Sequence, residues 1–525
     1  MLKRFKRFFG GKDSDPEQKI VINVEKLENR VAVLNGGVLD ELSIERSEDE
    51  NIVGSIFKGR VKNIEPGLKA MFVDIGFEKN AFLHFWDAIP AAIDDEMETV
   101  QRRGKKKQQK RIQAKDIPSI YPVGSEVVIQ VTKGPIGTKG PRVTTNLSLP
   151  GRYMVLMPLT DQFGISRKIE DPKERQRLRK ITERLSVPEG MGVILRTVCE
   201  GARARYIVRD LQMLLNQWEE IVEIRESNKA PVCVFEEPAL IERTVRDFLT
   251  DDVGEVLCDD EETVEQMKEM AGEISRRSKK RIKYFPTQEP IFDRLGIERQ
   301  IANAFHRQVW LPCGGYIVID ETEAMISIDV NTGRNKGNKN NMDKMILETN
   351  LESADEVARQ LRLRNIGGLV VVDFIDMKSR KDQQALYRRM RENLLNDKAK
   401  THVLQISQLG LMEMTRQRLN ESLSTSVYDS CPYCDGKGTI KSTVTMSVEI
   451  QRQAAAFLQR PRPDLHDLVI VVHPDVMERL RTADDQHLVE LQRKFEGRLT
   501  FRSDPNFHRE KVAFISAQTG KEIEP

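Results

Sequence analysis

Two strands and the helix between them constrain the fold of this chain more than any other stretch of it. Ala324–Val330 and Leu369–Asp373 have the apolar character of buried strands, and Leu351–Arg364 carries apolar residues at helical spacing. Strands that are joined by a crossover helix normally pair in parallel, so both end at the same edge of the sheet. Ligands bind at this edge in open α/β sheets. The pattern therefore predicts that Asp329 and Asp373 lie close together at a ligand-binding edge.

Two neighbouring carboxylates at such an edge suggest a metal site. Ionised Asp329 and Asp373 would repel each other unless the pKa of one rises or a cation neutralises both. Mg²⁺ suits this position, because it takes one or two carboxylates, keeps several waters and leaves room for a substrate phosphate. With Mg²⁺ bound, attack of water on a phosphodiester becomes feasible. The spacing alone leaves open the alternative that each aspartate only caps a strand end or a turn.

A small β-barrel is predicted for residues 52–149, where short strands alternate with glycine turns. Phe72 and Phe82 lie on neighbouring strands with basic residues around them. They either stack on the bases of a nucleic acid or belong to the barrel core. Lys139, in a glycine-rich loop, either reaches a ligand or is solvated. The basic stretch Gln101–Lys115 cannot be core, and it either touches phosphates or faces solvent.

Cys431-Pro-Tyr-Cys434 holds the two closely spaced cysteines among the six of the chain. So few cysteines in 525 residues exclude a disulfide framework. A glutaredoxin-type redox site is rejected, because it needs the first cysteine at a helix N-terminus and Asp-Gly-Lys-Gly is a poor helix start. Zinc takes four ligands, so two thiolates from each of two chains would complete one site. Two reduced cysteines without a ligand are the alternative.

The length and charge of the chain describe a folded, multidomain protein. Its 525 residues correspond to about three or four domains. Lysine plus arginine (83) nearly balances aspartate plus glutamate (81), which excludes attraction to RNA or membranes through bulk charge alone. The charged stretch Arg243–Lys283 is predicted to be helical.

The sequence contains no candidate for a membrane-spanning segment. No apolar run approaches the roughly 20 residues that cross a bilayer. The basic, aromatic stretch Met1–Phe9 lacks the apolar segment that follows in a signal peptide. We therefore expect a cytoplasmic protein whose N-terminus is either a frayed basic tail or an arm that contacts RNA or a membrane surface.

Taken together, these features make the chain resemble the ribonuclease E/G family from about Ile20 to Lys511. Many ordered motifs carry the resemblance. They are Phe57–Val61, Ala70–Gly76, Ala81–Leu83, Ser327–Asn331, Thr349–Asp355, Ala358–Arg364, Val372–Met377, Glu413–Arg418 and Cys431–Cys434. The chain resembles the short, ribonuclease G-like members, so we expect no long scaffold tail and no large degradation complex organised by one.

The resemblance implies an endoribonuclease that cuts single-stranded, A/U-rich RNA and leaves a 5′-monophosphate. In the family, the residues that match Asp329 and Asp373 hold the catalytic Mg²⁺, and the residue that matches Asn331 supports one of them by hydrogen bonding. The two cysteines that match Cys431 and Cys434 share a zinc ion between protomers. A homodimer or a dimer of dimers is therefore expected, acting in ribosomal RNA processing, messenger RNA decay or both.

The resemblance also assigns two RNA-contacting regions. The residues that match Phe72, Phe82 and Lys139 grip RNA beside the scissile bond. A second region senses the 5′-monophosphate of the substrate, and its matches are Gly151, Val155, Arg196, Thr197 and Lys400. Lys400 departs from the arginine that is frequent there. It keeps the charge but loses the forked hydrogen bonding of a guanidinium, so we expect weaker 5′-end sensing.

The implied architecture is a mixed α+β, multi-domain chain. An S1-type OB-fold barrel and a 5′-sensor domain are inserted into an RNase H-like domain, which lacks its nuclease carboxylates and is structural. A DNase I-like α/β catalytic domain, a zinc link and a small C-terminal domain follow. The expected boundaries are the basic N-terminal arm at 1–18, the RNase H-like domain at 19–51 and 242–305, the barrel at 52–149, the sensor at 150–241, the catalytic domain at 306–426, the zinc link at 427–440 and the C-terminal domain at 441–525.

A non-catalytic alternative uses only the barrel. The chain would then be an S1-domain RNA-binding protein that acts on ribosome precursors. Asp329, Asn331 and Asp373 argue against this alternative, because a binding module has no need of them.

Overall fold

The computed structural model describes residues 18–47, 51–89, 97–100, 113–135, 139–169, 171–249, 253–274, 276–322, 324–334, 342–395, 397–418, 422–460 and 465–523. Within them the chain forms five β-sheets with helices packed against them, so the expectation of a mixed α+β fold is confirmed. Residues 1–17 of the expected N-terminal arm and residues 101–112 of the basic insertion lie outside the described residues. No helix in the described part is long and apolar enough to cross a membrane.

The strands and helices follow one another irregularly along the described residues. The strands are β1 (Gln18–Val24), β2 (Glu28–Asn35), β3 (Val38–Arg46), β4 (Ile56–Glu65), β5 (Ala70–Asp74), β6 (Ala81–His84), β7 (Met97–Thr99), β8 (Glu126–Lys133), β9 (Arg142–Thr144), β10 (Leu149–Pro150), β11 (Met154–Pro158), β12 (Phe163–Ser166), β13 (Met191–Leu195), β14 (Val232–Phe235), β15 (Val253–Cys258), β16 (Ile282–Tyr284), β17 (Gln308–Trp310), β18 (Tyr316–Glu321), β19 (Met325–Asn331), β20 (Gly368–Asp373), β21 (Thr401–Val403), β22 (Leu411–Arg416), β23 (Asp467–Val472), β24 (Arg498–Ser503), β25 (Val512–Ser516) and β26 (Glu522–Ile523). The α-helices are α1 (Ile117–Ile120), α2 (Pro172–Arg184), α3 (Ala204–Ser227), α4 (Leu240–Phe248), α5 (Glu261–Ile274), α6 (Arg276–Lys279), α7 (Ile291–Arg294), α8 (Ile297–Ala304), α9 (Met342–Leu363), α10 (Arg380–Leu394), α11 (Leu423–Val427), α12 (Thr443–Leu458), α13 (Pro474–Thr482) and α14 (Asp485–Phe495).

Segments that are far apart in sequence build the first sheet, whose order is β16-β15-β1-β2-β3. β1 pairs in parallel with β15, so Ile20 lies opposite Val256. The prediction that Arg243–Lys283 is helical is therefore wrong in part, because β15 lies inside this stretch and β16 begins at its end. β15 is a short, largely apolar strand, and such a run has no periodicity that separates a strand from a buried helix.

The predicted small barrel is confirmed. β4, β5, β6, β9 and β8 follow one another around it, and β8 closes it by pairing with β4. Alternate residues of each strand face inward, and Met71, Val73 and Leu83 are among those that form its core. The residues between them face outward, which includes Phe72 and Phe82. The side strand β14 extends the sheet along the start of β4.

A six-stranded sheet with the order β17-β18-β19-β20-β22-β21 carries the two predicted aspartates. β19 and β20 pair in parallel, with α9 between them in sequence, as predicted. α9 and α10 cover one face of this sheet, where Val357 and Leu386 pack against Ile328 and Val372. The side chains between these core residues project from the opposite face.

Two smaller sheets complete the described residues. The order of one is β10-β11-β13-β12-β7, and the core of this sheet includes apolar residues of α2 and α3, such as Leu178 and Leu211. Residues 427–525 form a compact unit of their own, in which α12, α13 and α14 pack on the sheet β24-β23-β25-β26. The expected domain boundaries and their nesting stay predictions.

Candidate functional site

Asp329 and Asp373 stand directly opposite each other in the parallel pair β19–β20. Ile328 and Val330 on one strand and Val372 on the other are buried in the core. Because side chains alternate along a strand, both aspartates project from the opposite face, and both are exposed. The parallel pairing therefore brings the two carboxylates together, as the sequence predicts.

Hydrogen bonding around the two aspartates bears on the alternative that they are caps. Asn331 Nδ2 donates to Asp329 Oδ2 at 2.7 Å. Among the described residues, no backbone N–H donates to either carboxylate, so neither is engaged as a turn or strand cap. One side-chain amide orients Asp329, and Oδ1 of that carboxylate remains available to a ligand.

The segment that follows Asp373 is fixed by a buried amide on α9. Asn350 Nδ2 donates to the carbonyl oxygen of Ile375 at 2.8 Å, and Asn350 Oδ1 accepts from the N–H of Ile375 at 3.1 Å. Asn350 is fully buried, so this two-bond clasp is shielded from water. It ties the chain beyond β20 to the crossover helix and limits the movement of the Asp373 backbone.

The donors at this edge match a hard divalent cation. They are carboxylate and amide oxygens on an exposed surface, which suit Mg²⁺ better than zinc or copper. In the described part of the chain, no three or more histidine, cysteine or acidic side chains cluster in a way that could hold a metal ion. A cation at Asp329 and Asp373 would therefore take its other ligands from water and from a bound phosphate, as Mg²⁺ commonly does.

Phe72 and Phe82 form an outward-facing aromatic pair on the barrel. They are register partners on β5 and β6, with ring centroids 5.8 Å apart at an interplanar angle of 71°. The His84 ring follows 6.5 Å from Phe82. Both phenylalanines are half-buried and neither belongs to the barrel core, so the interpretation that they are core residues is wrong.

Lys139 is exposed and lies three residues before β9, which pairs with β6. The backbone at Gly140 packs closely against that at Asn80, because a Cβ on Gly140 would come within 2.1 Å of the Asn80 carbonyl oxygen. The N–H of Phe82 also donates to the Pro141 carbonyl oxygen at 2.7 Å. The Lys139 backbone is thus anchored on the same side of the barrel as the Phe72–Phe82 pair.

The structure brings Gly151 and Arg196 together. Arg196 Nη1 donates to the Gly151 carbonyl oxygen at 2.7 Å, and the Arg196 backbone N–H donates to the Tyr153 carbonyl oxygen at 2.8 Å. Gly151 is buried against α3, where a Cβ would lie 2.6 Å from Asp210 Oδ2. A larger residue at this position would displace Asp210, so glycine is a packing requirement here.

Asp210 anchors the turn that follows Gly151. Its carboxylate accepts the backbone N–H groups of Arg152, Tyr153 and Met154 at 3.1, 2.8 and 3.1 Å. Burial raises the pKa of Asp210, although the three N–H groups act in the opposite direction. The turn is therefore held by a buried acidic group, which fixes the carbonyl oxygen that Arg196 binds.

Arg196 also binds an acidic residue that no sequence motif indicates. Arg196 Nη1 donates to Asp247 Oδ1 at 2.7 Å, and Arg246 Nη2 donates to Asp247 Oδ2 at 2.9 Å. Burial acts to raise the pKa of Asp247, but the charges of Arg246 and Arg196 outweigh it and hold the pKa below its usual value. The sequence gives no signal for this contact, because Asp247 lies on α4, 51 residues from Arg196.

The other predicted sensor residues lie around this centre to different degrees. Val155 is opposite Ile194, two residues before Arg196, and exposed Thr197 follows Arg196 directly. Lys400 is exposed just before β21, and its carbonyl oxygen accepts the N–H of Gln417 at 2.8 Å.

Lys398, two residues before Lys400, contacts α4. Lys398 Nζ lies 2.8 Å from the centroid of the Phe248 ring and 3.0 Å from Glu41 Oε2. Phe248 follows Asp247 in sequence, so Lys398 adds a second cation next to the Arg196–Asp247 pair. The chain between β20 and β22 therefore contacts the helix that holds Asp247.

Cys431 and Cys434 lie in a tight turn with backbone N–H groups directed at their sulfurs. The N–H of Gly438 donates to Cys434 Sγ at 3.3 Å. Hydrogen bonds from the backbone N–H groups of Cys434 and Tyr433, and from the Cys434 side chain, lower the pKa of Cys431. Left-handed backbone conformations at Asp435, Gly436 and Gly438 shape this turn. The thiolate-stabilising geometry fits a metal ligand, and one chain supplies two of the four ligands that zinc takes.

Comparison with known proteins confirms the resemblance drawn from the motifs. A model of the Ribonuclease E/G family matches residues 148–419. Ribonuclease G of Escherichia coli is 35% identical over 497 residues, which cover 95% of this chain and 99% of that protein. Ribonuclease G of Haemophilus influenzae is 34% identical over 498 residues with the same coverage. Ribonuclease E of Escherichia coli is 38% identical over 439 residues, 83% of this chain and 40% of that protein. The chain belongs to the Ribonuclease E/G family.

Proposed function

We propose that this chain is a magnesium-dependent endoribonuclease that cuts single-stranded, A/U-rich RNA and leaves a 5′-monophosphate on the product. The observation that carries the proposal is the pair of exposed carboxylates, Asp329 and Asp373, opposite each other on parallel strands with Asn331 bound to one of them. Two like charges side by side on an exposed sheet are costly without a cation. The names of the related Ribonuclease G and Ribonuclease E support the same reaction class.

Asp329 and Asp373 are the residues that would hold the metal ion. Mg²⁺, when bound, neutralises the charge on the phosphate and lowers the pKa of a water molecule that attacks it. Asn331 holds Asp329 Oδ2 through its side-chain amide and thereby orients the carboxylate. The Asn350 clasp on Ile375 keeps the Asp373 segment from shifting when RNA enters. The rate then depends on how rigidly these two strand ends are kept in register.

The barrel surface is the part of the chain suited to gripping the RNA strand. Phe72 and Phe82 are outward-facing, half-buried rings on which bases could stack without regard to sequence. Lys139 supplies a cation for the backbone phosphates on the same side of the barrel. Stacking on unpaired bases favours single-stranded RNA over a duplex, because bases in a duplex already stack on one another.

Binding of a 5′-monophosphate at Arg196 would stimulate cleavage. The described contacts of the guanidinium use Nη1, which leaves Nη2 and Nε for a phosphate. The contact of Arg196 with the Gly151 carbonyl oxygen, and the closeness of Val155 and Thr197 to Arg196 on the chain and in strand register, support this assignment. Lys400 would add a charge without the forked geometry of arginine, so the stimulation should be weaker than with an arginine there.

A zinc ion shared by Cys431 and Cys434 of two protomers would make the chain a dimer, or a dimer of dimers. Backbone N–H groups lower the pKa of Cys431 and so favour its thiolate, which is the form that zinc binds, and the N–H of Gly438 donates to Cys434 Sγ. The enzyme would act in the cytoplasm on ribosomal RNA precursors, on messenger RNA or on both. The competing function is that of a non-catalytic RNA-binding protein that uses only the barrel.

Cleavage of a short A/U-rich RNA labelled at its 3′ end tests the proposal. The RNA carries either a 5′-monophosphate or a 5′-hydroxyl, and each is incubated with Mg²⁺ or with EDTA. Internal cuts that require Mg²⁺ are expected, and they should be faster on the 5′-monophosphate. Binding of the RNA without any cut would favour the RNA-binding alternative and remove the proposed reaction.

A further inference from the structure

An aromatic pair, with one exposed ring and one half-buried ring, continues the surface beyond Asn331. Trp310 is 54% exposed, and its ring centroid lies 5.3 Å from that of the half-buried Tyr316 at an angle of 58°. The guanidinium carbon of Arg334 lies 5.8 Å from the centroid of the Trp310 ring. None of the three residues belongs to the core of the six-stranded sheet. We call these three residues the aromatic platform.

The strand register puts the aromatic platform on the same face of the sheet as the two aspartates. Tyr316 is opposite Asn331 in the antiparallel pair β18–β19, and Trp310 is opposite Tyr316 in the pair β17–β18. Residues directly opposite each other project from the same face, as do residues two apart on one strand. Asp329, Asn331, Tyr316 and Trp310 therefore share a face.

The distance from the aspartates to the platform suits a neighbouring nucleotide. Adjacent strands lie ~4.8 Å apart, so Trp310 on β17 is two strand spacings, or about 10 Å, from β19. A phosphate held between Asp329 and Asp373 would leave the base of a nucleotide one or two positions away within reach of the Trp310 ring. The platform is thus too far to touch the reacting phosphate and close enough to hold the same RNA strand.

Tight backbone packing keeps Arg334 beside the aromatic rings. Gly333 has a left-handed backbone with a φ of +56°, and a Cβ there would come within 2.4 Å of the Gly314 carbonyl oxygen. The N–H of Arg334 donates to that same oxygen at 3.0 Å. A Cβ on Gly333 would also lie 3.2 Å from Tyr316 Cδ1, so glycine lets the turn close onto the ring. The turn after β19 is therefore pinned to the turn before β18.

We propose that Trp310, Tyr316 and Arg334 form a base-stacking subsite for a nucleotide next to the scissile phosphate. An exposed indole ring with a cation beside it suits a planar base linked to a phosphate, because the ring stacks on the base and the guanidinium meets the negative charge. The aspartates on the same face repel phosphates, and Arg334 offsets that repulsion on the side where the strand continues. This subsite rests on the proposed endoribonuclease function. It adds a group of residues that would fix the position of the RNA strand relative to Asp329 and Asp373.

Cleavage kinetics on RNA with one abasic nucleotide at a time test the subsite. With the unaltered chain, removal of one base beside the scissile bond should lower kcat/KM about ten-fold, within the range for loss of one stacked base. Trp310→Ala should lower kcat/KM on intact RNA by a similar factor. For this variant, kcat/KM on the abasic RNA should equal that on intact RNA, because the stacking contact is already lost. Trp310→Phe should keep most of the activity. Tyr284→Ala, an exposed aromatic on the distant strand β16, is the matched control and should behave as the unaltered chain.

The outcomes separate the subsite from the proposed function. If the unaltered chain does not cut RNA at all, the proposed function is wrong and the subsite with it. If the chain cuts RNA and Trp310→Ala cuts it equally well, with the same sensitivity to abasic positions, the subsite alone is wrong. If Trp310→Ala changes the molecular mass of the assembly measured by light scattering, the platform is an interface between copies of this chain, and the subsite is again wrong.

Discussion

Arg196 and Asp247 form an ion pair, with Arg196 Nη1 2.7 Å from Asp247 Oδ1, that joins β13 and α4. Asp247 is shared with Arg246, which in turn binds Glu237, so the carboxylate is fixed from two sides. The side chain of Arg196 is 29% exposed and that of Asp247 is 20% exposed. Asp247 therefore holds one edge of the guanidinium and leaves the other edge available for the 5′-phosphate of the proposed sensor.

Asp247→Asn should reduce the preference for a 5′-monophosphate over a 5′-hydroxyl several-fold. The amide loses the charge that holds Arg196 in place, while cleavage of the 5′-hydroxyl RNA should change little. Glu183→Gln, an exposed substitution on α2 of the same region, is the control. The measurement is the ratio of kcat/KM for the two RNAs, and an unaltered ratio in Asp247→Asn would contradict the positioning by Asp247.

The pH dependence of that preference follows from the low pKa of Asp247. An aspartate in an unfolded chain has a pKa of about 4, and the pKa of Asp247 in the folded protein is lower. The ion pair between Asp247 and Arg196 is therefore intact above pH ~4, and it is lost only as the pH falls through the lower pKa of the folded protein. Between pH 5 and 8 the ratio should therefore follow only the phosphate, whose second pKa is about 6. A fall in the ratio within these limits that the Asp247→Asn variant does not share would point to titration of the aspartate instead.

Asp373→Asn should lower the rate of cleavage about 100-fold or more, while the affinity for RNA stays within about two-fold of that of the unaltered chain. One carboxylate fewer weakens the hold on Mg²⁺, and Asp373 is exposed, so the fold should not suffer. Asp293→Asn, an exposed aspartate on α7, should keep full activity. Binding is measured by fluorescence anisotropy in the presence of Mg²⁺. A variant that cuts at the unaltered rate would remove Asp373 from the metal site.

The strand ends that carry Asp329 and Asp373 could be predicted because the information is local. A strand, a helix and a strand within about 50 residues have a preferred parallel pairing, and the pairing alone sets which residues meet. For Phe72 and Phe82 the sequence leaves two alternatives, which are stacking on bases and a place in the barrel core. Only the inward orientation of Met71 and Leu83 decides between them. Alternation along one strand does not say which set faces the core when both sets contain apolar residues.

β15 and Asp247 could not be predicted, for a common reason. β15 is a strand because it pairs with β1, more than 200 residues away, and Asp247 matters because it meets Arg196 across α4 and β13. Neither contact leaves a trace in the spacing of nearby residues. Strand register alone likewise puts Tyr316 opposite Asn331 and Trp310 opposite Tyr316.

Phe72→Ala and Phe82→Ala should each weaken binding of single-stranded RNA about ten-fold, in the range for loss of one stacked base. Both rings lie outside the barrel core, so the thermal unfolding midpoint should move little. Phe77→Ala is the control on the same barrel, where Phe77 packs edge-on against buried Phe57 at 5.8 Å. A large drop in the midpoint with unchanged affinity would instead assign Phe72 and Phe82 to the structure of the barrel.

Cys431→Ser combined with Cys434→Ser should dissociate the protein into single chains and remove its zinc. Cys233→Ser, at an exposed cysteine outside the turn, should leave both unchanged. Molecular mass is measured by light scattering and zinc by mass spectrometry, with half a zinc ion per chain expected for a site shared by two chains. A double variant of unaltered mass would exclude a shared zinc.

Alkylation of the zinc-free chain at different pH values tests the same turn independently of assembly. Backbone N–H groups lower the pKa of Cys431, whereas desolvation raises the pKa of Cys233. Because the thiolate is the reactive form, iodoacetamide should modify Cys431 at a lower pH than Cys233. Added zinc should protect Cys431 and Cys434 and leave Cys233 reactive at high pH. Equal rates at the two sites across the pH range would mean that the turn does not stabilise a thiolate, and the case for zinc at Cys431 and Cys434 would lose its physical basis.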